Sequence, residues 1–529
     1  MPHVLSHTGR ANSNGGFTPY KIGLAARPQF CMGFLTLELM IALILITLSV
    51  TAVILVSFGS QGMLVGAQTS SEALQKAQGM LEGAQQLART DFDMVNPIAT
   101  TTDGIYQVSL SVAPYAANEY FVKKVTAHVA WTDERHTART TSLTLLVTDY
   151  THAVGGNTCS SALNGKWNPP ILTPYPLNPA TFGSLPASGY QVSDMNAYQG
   201  MLYVAMGSTT NATDPTLLIF DIKNPATPLF KGALDNAAST KDGFAAVAIA
   251  TSSTSNYAYL ANIHDASWNS CAQGPACAQL QIVNIANPAA PSLTANIKLA
   301  TNTVPFVNGS GGQAVGKSIF FKDNYVYLGL SKTGTGPELV IIDVHNFPSS
   351  PPVVLGSFSV GAAVNAIDVK GDYAYLATAS TTARLIVLYV KDPLHPVRVY
   401  TPIGNGFGNG KALATAGGML YFGRTFDNSN PELAVFNNKN PSSTAPSLAT
   451  TTELGVSLDG IIVRDYLRFL LTNTDLQIVN ATSSAHTTLA LPAVGGTYPP
   501  SFDCEGNTLY VGSSDGSGNG VLSVITPTP

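Results

Sequence analysis

Glu38 is the one charged side chain in the run GFLTLELMIALILITLSVTAVILVSF, Gly33 to Phe58. A carboxylate inside an apolar span costs about 2.5–3.5 kcal/mol on insertion scales, so such a residue is usually retained for a partner. Other groups that could do chemistry are scattered. GGQAVGKS (Gly311–Ser318) has the phosphate-loop spacing G-x4-G-K-[ST]. That loop works only between a buried strand and a helix whose N-terminus faces phosphate. Here IFFKDNYVYL follows at once and reads as a strand pair, so nucleotide binding is not expected. His264, His345, His395 and His486 stand in different segments without metal or triad spacing. His264 precedes Asp265, but no nucleophile accompanies the pair, and there is no G-x-S-x-G elbow. DGSGNG (Asp515–Gly520) lacks the bidentate acid of a calcium loop and reads as a turn. GNGFGNG (Gly404–Gly410) reads as a connection. These residues lead to the expectation that the chain is not an enzyme and has no cofactor and no metal.

The elements around them begin with that apolar run. From Leu39 to Phe58 no charge occurs, which is enough helix to cross a hydrocarbon core of about 30 Å. Lys21 and Arg27 precede it and hold the leader on the cytoplasmic side. Nothing like a small-residue cleavage site follows Phe58, which argues against a secretory signal peptide. A plain anchor fits the span but leaves Glu38 unexplained. SEALQKAQGMLEGAQQLARTDF (Ser71–Phe92) has helical composition, with Leu74, Met80, Leu81 and Leu87 near one face. One helix is therefore predicted from Phe34 to about Asp91, with weakening at Gly59 and Gly62. The alternating runs Ile105–Val112, Val122–Thr132 and Thr140–Tyr150 predict a small antiparallel sheet packed on it. Beyond them the chain is rich in Gly, Pro, Thr, Ser and Asn between short apolar runs, the pattern of an all-β region. A chain of 529 residues leaves room for two or three domains. Only 11% of residues are charged, the net charge is −5 and no basic block exists, so nucleic acid is not an expected partner.

Gly33-Phe34-Leu35-Thr36-Leu37-Glu38-Leu39 resembles the processing site of type IV prepilins and pseudopilins. The resemblance implies cleavage by the prepilin peptidase after Gly33 and N-methylation of Phe34, with Glu38 at the fifth place of the mature chain. It also implies that the apolar helix is kept, first in the membrane and then among other pilins in a filament core. There Glu38 would pair with the α-amino group of a neighbouring subunit, offsetting its burial only in correct register. The helix-kinking proline of many major pilins is absent, Leu55 standing in its place, which points to a minor pilin or a pseudopilin. VTAHVAWTDERHTARTTSLTLLV is similar to the C-terminal sheet of minor pilins.

From about Ser193 onward one unit recurs about seven times. Its first signature is a short aromatic strand: MLYVAMG at Met201, YAYLANI at Tyr257, YVYLGLS at Tyr325, YAYLATA at Tyr373, MLYFGRT at Met419, RFLLTN at Arg468 and TLYVGSS at Thr508. Its second is a branched apolar strand closed by Asp or Asn and Pro, as in LLIFDIKNPATP at Leu217 and LVIIDVHNFPSSP at Leu339; proline ends the strand by fixing φ and removing a donor. This second signature resembles the LVIVD repeat, a propeller-type repeat. The last unit, ending VLSVITPTP, lacks its outermost strand. PLNPATFGSL (Pro176–Leu185) resembles the fourth-strand piece NPATPLFKGAL, so it is expected to complete the last blade and close the ring. Of five cysteines, Cys31 lies in the leader. Cys271 and Cys277 bracket CAQGPAC as a short-loop disulfide, and Cys159 and Cys504 are placed to staple the closure. Free buried thiols are the alternative for all four, and without histidine neighbours they do not spell a zinc site.

The expected fold is mainly β: a long N-terminal transmembrane helix with a small pilin-like antiparallel sheet, followed by a seven-bladed β-propeller. The expected division is a leader over 1–33, a spine helix over 34–92, the sheet over 93–155, a linker over 156–175 and the propeller over 176–529. Such a chain would sit in the cytoplasmic membrane by a single pass with its C-terminal part outside, and then on a pilus or the cell surface. The expected function is a minor pilin whose propeller binds an unknown surface ligand or protein. The alternative is a pseudopilin of a type II-like secretion system whose propeller contacts exported substrate.

Overall fold

The computed structural model describes residues 35–528, apart from 91, 93–94, 115–121, 134–135, 149–158, 160–162, 164, 186–188, 209–214, 235–242, 252–255, 264–277, 300–313, 335, 381, 401–407, 439–440, 442–444, 465 and 482–485. The chain divides into two compact units, Met1–Ser71 with Asp133–Arg135, and Glu72–Thr132 with His136–Pro529. In the first, helix α1 (Leu35–Thr90) begins and runs unbroken through Gly59 and Gly62. Its segment Glu38–Ser57 has a mean hydropathy of 2.9 and none of it is buried, so by length and composition it is able to cross a membrane.

In the second unit the rest of α1 meets a four-stranded sheet in the order β1 (Ile98–Asp103), β2 (Tyr106–Pro114), β3 (Val122–Thr132) and β4 (Ala138–Thr148). The buried helix face is Ala73, Ala77, Leu81, Ala84 and Ala88, packed on Tyr106, Leu110, Val125, Val129 and Trp131. The expected face is corrected in part: Leu81 is buried and Met80 packs against the same core, but Leu74 is 39% and Leu87 40% exposed. Alanines at three- and four-residue spacing form one stripe, and their short side chains let the helix backbone approach the bulky Tyr106 and Trp131. β1 went unread because IATTTD is an edge strand, exposed along its length, with no apolar alternation.

Seven further four-stranded antiparallel sheets follow, six of them continuous in sequence. Their strands are called A to D. The A strands are Gln191–Tyr198, Phe244–Thr251, Gly316–Lys322, Val364–Lys370, Gly410–Ala416, Leu458–Arg464 and Ser501–Glu505. Each contacts the A strand of the next sheet, and the last contacts the first. The aromatic signature forms the B strands and the branched apolar signature the C strands, four of whose five residues are buried in most sheets. Strands buried on both faces need no alternation, which is why these runs read as continuously apolar. The Asn or Asp after several C strands caps its own turn: Asn224 Oδ1 accepts from Ala226 N at 3.2 Å, Asn287 Oδ1 from Ala289 N at 3.2 Å and Asp392 Oδ1 from Leu394 N at 3.0 Å.

The D strands come close to the turn of the next repeat, and glycine makes this possible. A Cβ at Gly356 would collide with the carbonyl oxygen of Pro393, and one at Gly232 with that of Pro288. Gly356→Ala is therefore expected to destabilise the fold by about 1–3 kcal/mol, read as a lowered denaturation midpoint, whereas Ser357→Ala on the exposed neighbour leaves it unchanged.

Closure differs in place from the expectation. The fourth strand of the last sheet is β5 (Lys166–Pro176), paired with Gly520–Thr528 through Val521 with Pro176 and Thr526 with Ile171. The expected closing piece Pro176–Leu185 instead holds a single turn, α2 (Pro179–Phe182), capped by Asn178 Oδ1 on Thr181 N. KWNPPILTPYP reads as linker because of its four prolines. On an outermost strand they are tolerated: Pro170, Pro174 and Pro176 share one parity, so their missing donors fall on one side of the strand.

Candidate functional site

The polar residues that line the A strands are the natural place to look for convergent chemistry. Six of the seven A strands shift register near their start, between Phe244 and Ala246, Gly316 and Ser318, Val364 and Ala366, Gly410 and Ala412, Leu458 and Gly460, and around Val192 to Asp194. A bulge leaves one residue out of the ladder and re-aims its side chain. Those side chains join neighbouring sheets: Asn365 Nδ2 donates to Gly410 O at 2.7 Å, Ser193 Oγ donates to Phe244 O, and Lys411 Nζ pairs with Asp459. Further along, Asp194 Oδ2 accepts from Val247 N at 2.9 Å, Asp368 Oδ2 from Thr415 N at 2.7 Å and Asp503 Oδ2 from Ala197 N at 2.7 Å. These carboxylates bind the backbone of the next sheet, a structural task, and do not form a catalytic array.

The densest such set is the seam where the last sheet meets the first. Ser501 Oγ donates to Asp194 Oδ1 at 2.8 Å, and Gly200 N to Glu505 Oε1 at 2.7 Å. Burial, against the pull of its backbone donors, pushes the Asp503 carboxyl up to about 8 and that of Asp194 up to about 6. On the other side of the last sheet, where it packs on the sixth, Cys159 and Cys504 meet in a disulfide with Cα atoms 5.1 Å apart, and Cys159 bridges to Gly506. Trp167 of β5 packs edge-on to Phe469 with ring centroids 5.0 Å apart.

The remaining sequence-derived residues stay apart. Glu38 lies in the first turn of α1, exposed. Gly33, Phe34, Cys271, Cys277 and His264 lie outside the described residues. Lys317 and Ser318 of the phosphate-loop look-alike sit on an A strand, where Ser318 Oγ donates to Val364 O at 2.8 Å; no helix follows. His345 meets Asn324 and His395 meets Asp392, both on exposed turns, while His486 is on a D strand. Asp515 holds its own turn by accepting from Ser517 N and Asn519 N.

One site was not read from the sequence. An open cleft of about 630 Å³ is lined by Arg384, Gly408, Asn409, Thr425, Phe426, Asp427, Asn428 and Ser429. Arg384 directly precedes a C strand (Leu385–Tyr389). At the same place in other repeats stands an acceptor for the loop that leads to the next A strand. Glu338 Oε2 accepts from Val360 N and Gly361 N, Glu432 Oε2 from Leu454 N and Gly455 N, and Gln279 Oε1 from Leu299 N. Arginine has no acceptor. Nε and Nη1 of Arg384 are buried and meet no partner among the described residues. Burial, partly opposed by Glu432 and aided by the positive charge of Arg384, brings the neighbouring Arg424 guanidinium down to about 10. Phe426 at the cleft is 45% exposed, and Asp427 is engaged by Ser429 N and Asn430 Nδ2. The signal available in the sequence was this swap of Glu or Gln for Arg ahead of a repeated apolar strand.

Among known proteins, the LVIVD repeat model matches residues 311–358 and 361–397. No curated protein matches the chain. Similar solved structures include a protein from Bacteroides uniformis provisionally named a 6-phosphogluconolactonase, at 11% identity and a TM-score of 0.42, covering 74% of this chain and 94% of that one. Others are the Pan2 WD40 domain of Neurospora crassa, at 10% identity, a TM-score of 0.40 and coverage of 63% and 89%, and the Cps50 (Swd1) β-propeller domain of Myceliophteria thermophila, at 11%, 0.41, and 64% and 98%. The expectation that the chain is not an enzyme is corrected by the first of these and by a second lactonase-named structure from Bacteroides fragilis: sheets of this kind occur in proteins named as enzymes, so their presence excludes no activity. Overlaps of this grade assign none either. The chain is a β-propeller protein that carries LVIVD repeats.

Proposed function

We propose that this is a minor pilin-like subunit that carries a seven-bladed propeller as a binding head at a pilus tip or cell surface. The observation that carries the reading is Glu38: an exposed carboxylate in the first turn of a helix whose next nineteen residues, Leu39–Ser57, are uncharged and unburied. A helix of that kind is stable only in lipid or among like helices, and the carboxylate is tolerated where an amine meets it. The helix-packed sheet β1–β4 fits a pilin-type body. A propeller is too bulky to be stacked inside a filament at helix spacing, so an end or surface position suits it. Connections between B and C strands and between D and A strands include the long ones, such as those from Asn262 to Leu280 and from Ile297 to Gly316, whereas A-to-B turns such as Tyr198 to Met201 are tight. The strand ends that these connections join lie at one end of the sheets, and connections of that length suit recognition.

Mass spectrometry of the mature N-terminus tests the reading: a methylated Phe34 is expected, and a chain that keeps residues 1–33 overturns it. Glu38→Ala is expected to remain in the membrane and to lose at least tenfold in filament incorporation. Incorporation equal to the parent's overturns the pairing role of Glu38. Recovery of the chain with secretion-channel components in place of pilus components would move it to the pseudopilin class.

A further inference from the structure

We propose that the cleft beside Phe426 binds a neutral saccharide, with the Phe426 ring stacked on the apolar face of a pyranose and Asp427, Asn409 and Asn428 taking its hydroxyls. This deepens the binding-head reading and rests on it.

The site is built from groups that solvent reaches. Phe426, Asn409 and Asn428 are exposed and Asp427 is half-buried, and all four line the cleft. Their backbone is pinned from several sides. Phe426 N donates to Ser457 Oγ at 3.0 Å, and Thr425 N to Asn409 O at 2.9 Å. Asp427 and Asn430 form an antiparallel bridge, within which Asp427 Oδ1 accepts from Ser429 N at 3.0 Å and Oδ2 from Asn430 Nδ2 at 3.3 Å. Gly408 lies so close to Thr425 that a Cβ there would collide with the threonine's carbonyl oxygen. The wall is therefore pre-formed, and a ligand is spared the entropy of ordering it.

The chemistry of the lining selects the ligand class. Each carboxylate oxygen of Asp427 takes one donor and keeps a second lone pair, so it is able to accept from a hydroxyl. The amides of Asn409 and Asn428 set donors and acceptors side by side, which matches vicinal hydroxyls that each donate and accept. An exposed aromatic face beside polar groups takes the C–H face of a pyranose while the hydroxyls turn to the amides. Charge argues against an ion of either sign. Asp427 repels an acid, and the guanidinium groups of Arg384 and its neighbour Arg424 lie behind the same wall and oppose an amine. An uncharged peptide would use the amides but has no comparable use for the ring.

The test uses the full chain in micelles of a detergent without a sugar headgroup. It is titrated calorimetrically with neutral oligosaccharides of glucose, galactose, mannose and N-acetylglucosamine, and with oligogalacturonate, spermidine and an uncharged peptide as comparisons. Saturable binding of a neutral oligosaccharide, unmoved by added salt, is expected, with the comparison ligands weaker by about tenfold or more. Phe426→Ala is expected to weaken that binding by about tenfold or more with thermal unfolding unchanged, because the ring is exposed. Asp427→Asn is expected to narrow the gap between the neutral sugar and the oligouronate, since the amide no longer repels an acid. Failure of every neutral oligosaccharide to bind, unchanged affinity in Phe426→Ala, or tighter binding of the oligouronate, the amine or the peptide overturns the proposal. A chain that adheres to surfaces through its propeller yet ignores every neutral oligosaccharide overturns this inference alone; a chain that does neither removes the binding-head reading with it.

Discussion

Replacing Cys159 and Cys504 together by alanine is expected to lower stability by about 2–5 kcal/mol, with a drop in thermal midpoint that reducing agent alone reproduces in the parent. The cross-link spans a sequence separation of 345 residues, so in the unfolded chain it removes the freedom of a very long loop. In the folded chain it sits beside the one sheet assembled from distant parts. Order in the last sheet runs through three C-terminal strands to β5, and the β5 pairing, the Cys159–Gly506 bridge and side chains hold the two ends of the ring. Without the staple, β5 is expected to detach first. Trp167, which contacts Phe469 from β5, would report this by a fluorescence change that precedes global unfolding. An unchanged midpoint on reduction would show that the pairing of β5 with Gly520–Thr528 suffices.

Raising the pH from about 5 to 8 is expected to destabilise the seam between the last sheet and the first. The folded Asp503 carboxyl keeps its proton up to about 8, and that of Asp194 up to about 6; in the unfolded chain both release it near an ordinary carboxyl value of about 3.9. Between these values the folded state binds more protons, so stability is full below the unfolded value and falls as pH climbs toward the folded one. Glu505 and Asp459 are also raised by burial and act in the same direction. Asp221, Asp392 and Asp515 are lowered by their partners, but the last two are exposed and contribute little. The measurable outcome is a thermal midpoint several degrees higher at pH 5 than at pH 8. Asp503→Asn is expected to flatten that slope and to exceed the parent at pH 8, since an amide oxygen still accepts from Ala197 N without ionising. A midpoint that rises over the same interval would overturn the assignment.

The legible features were those encoded by neighbours in the chain. The apolar run set one helix, and its bounds, Leu35 to Thr90, lie within a residue or so of the expected ones. The B and C strand signatures marked the repeats because each strand carries its own aromatic or branched pattern and its own proline turn. Within that frame the errors had physical causes. Hydrophobicity groups Leu74 and Leu87 on one helix face with Met80 and Leu81, but the sheet selects the face on which small alanines allow close approach. β5 was hidden because proline argues against a strand everywhere except at an outer edge, and which strand is outermost is a property of the assembled sheet.

Sequence alone determined that this protein has one membrane-compatible helix, a single misplaced carboxylate within it and a train of β repeats, because these are short-range patterns of hydrophobicity and turn chemistry. Only the tertiary structure decided which strand closes the last sheet, that Asp194 and Asp503 are buried at one seam, and that Nε and Nη1 of Arg384 are buried without a partner among the described residues. Each of those depends on groups brought together by ring closure or by comparison of equivalent places in successive sheets, and no window along the chain contains both members.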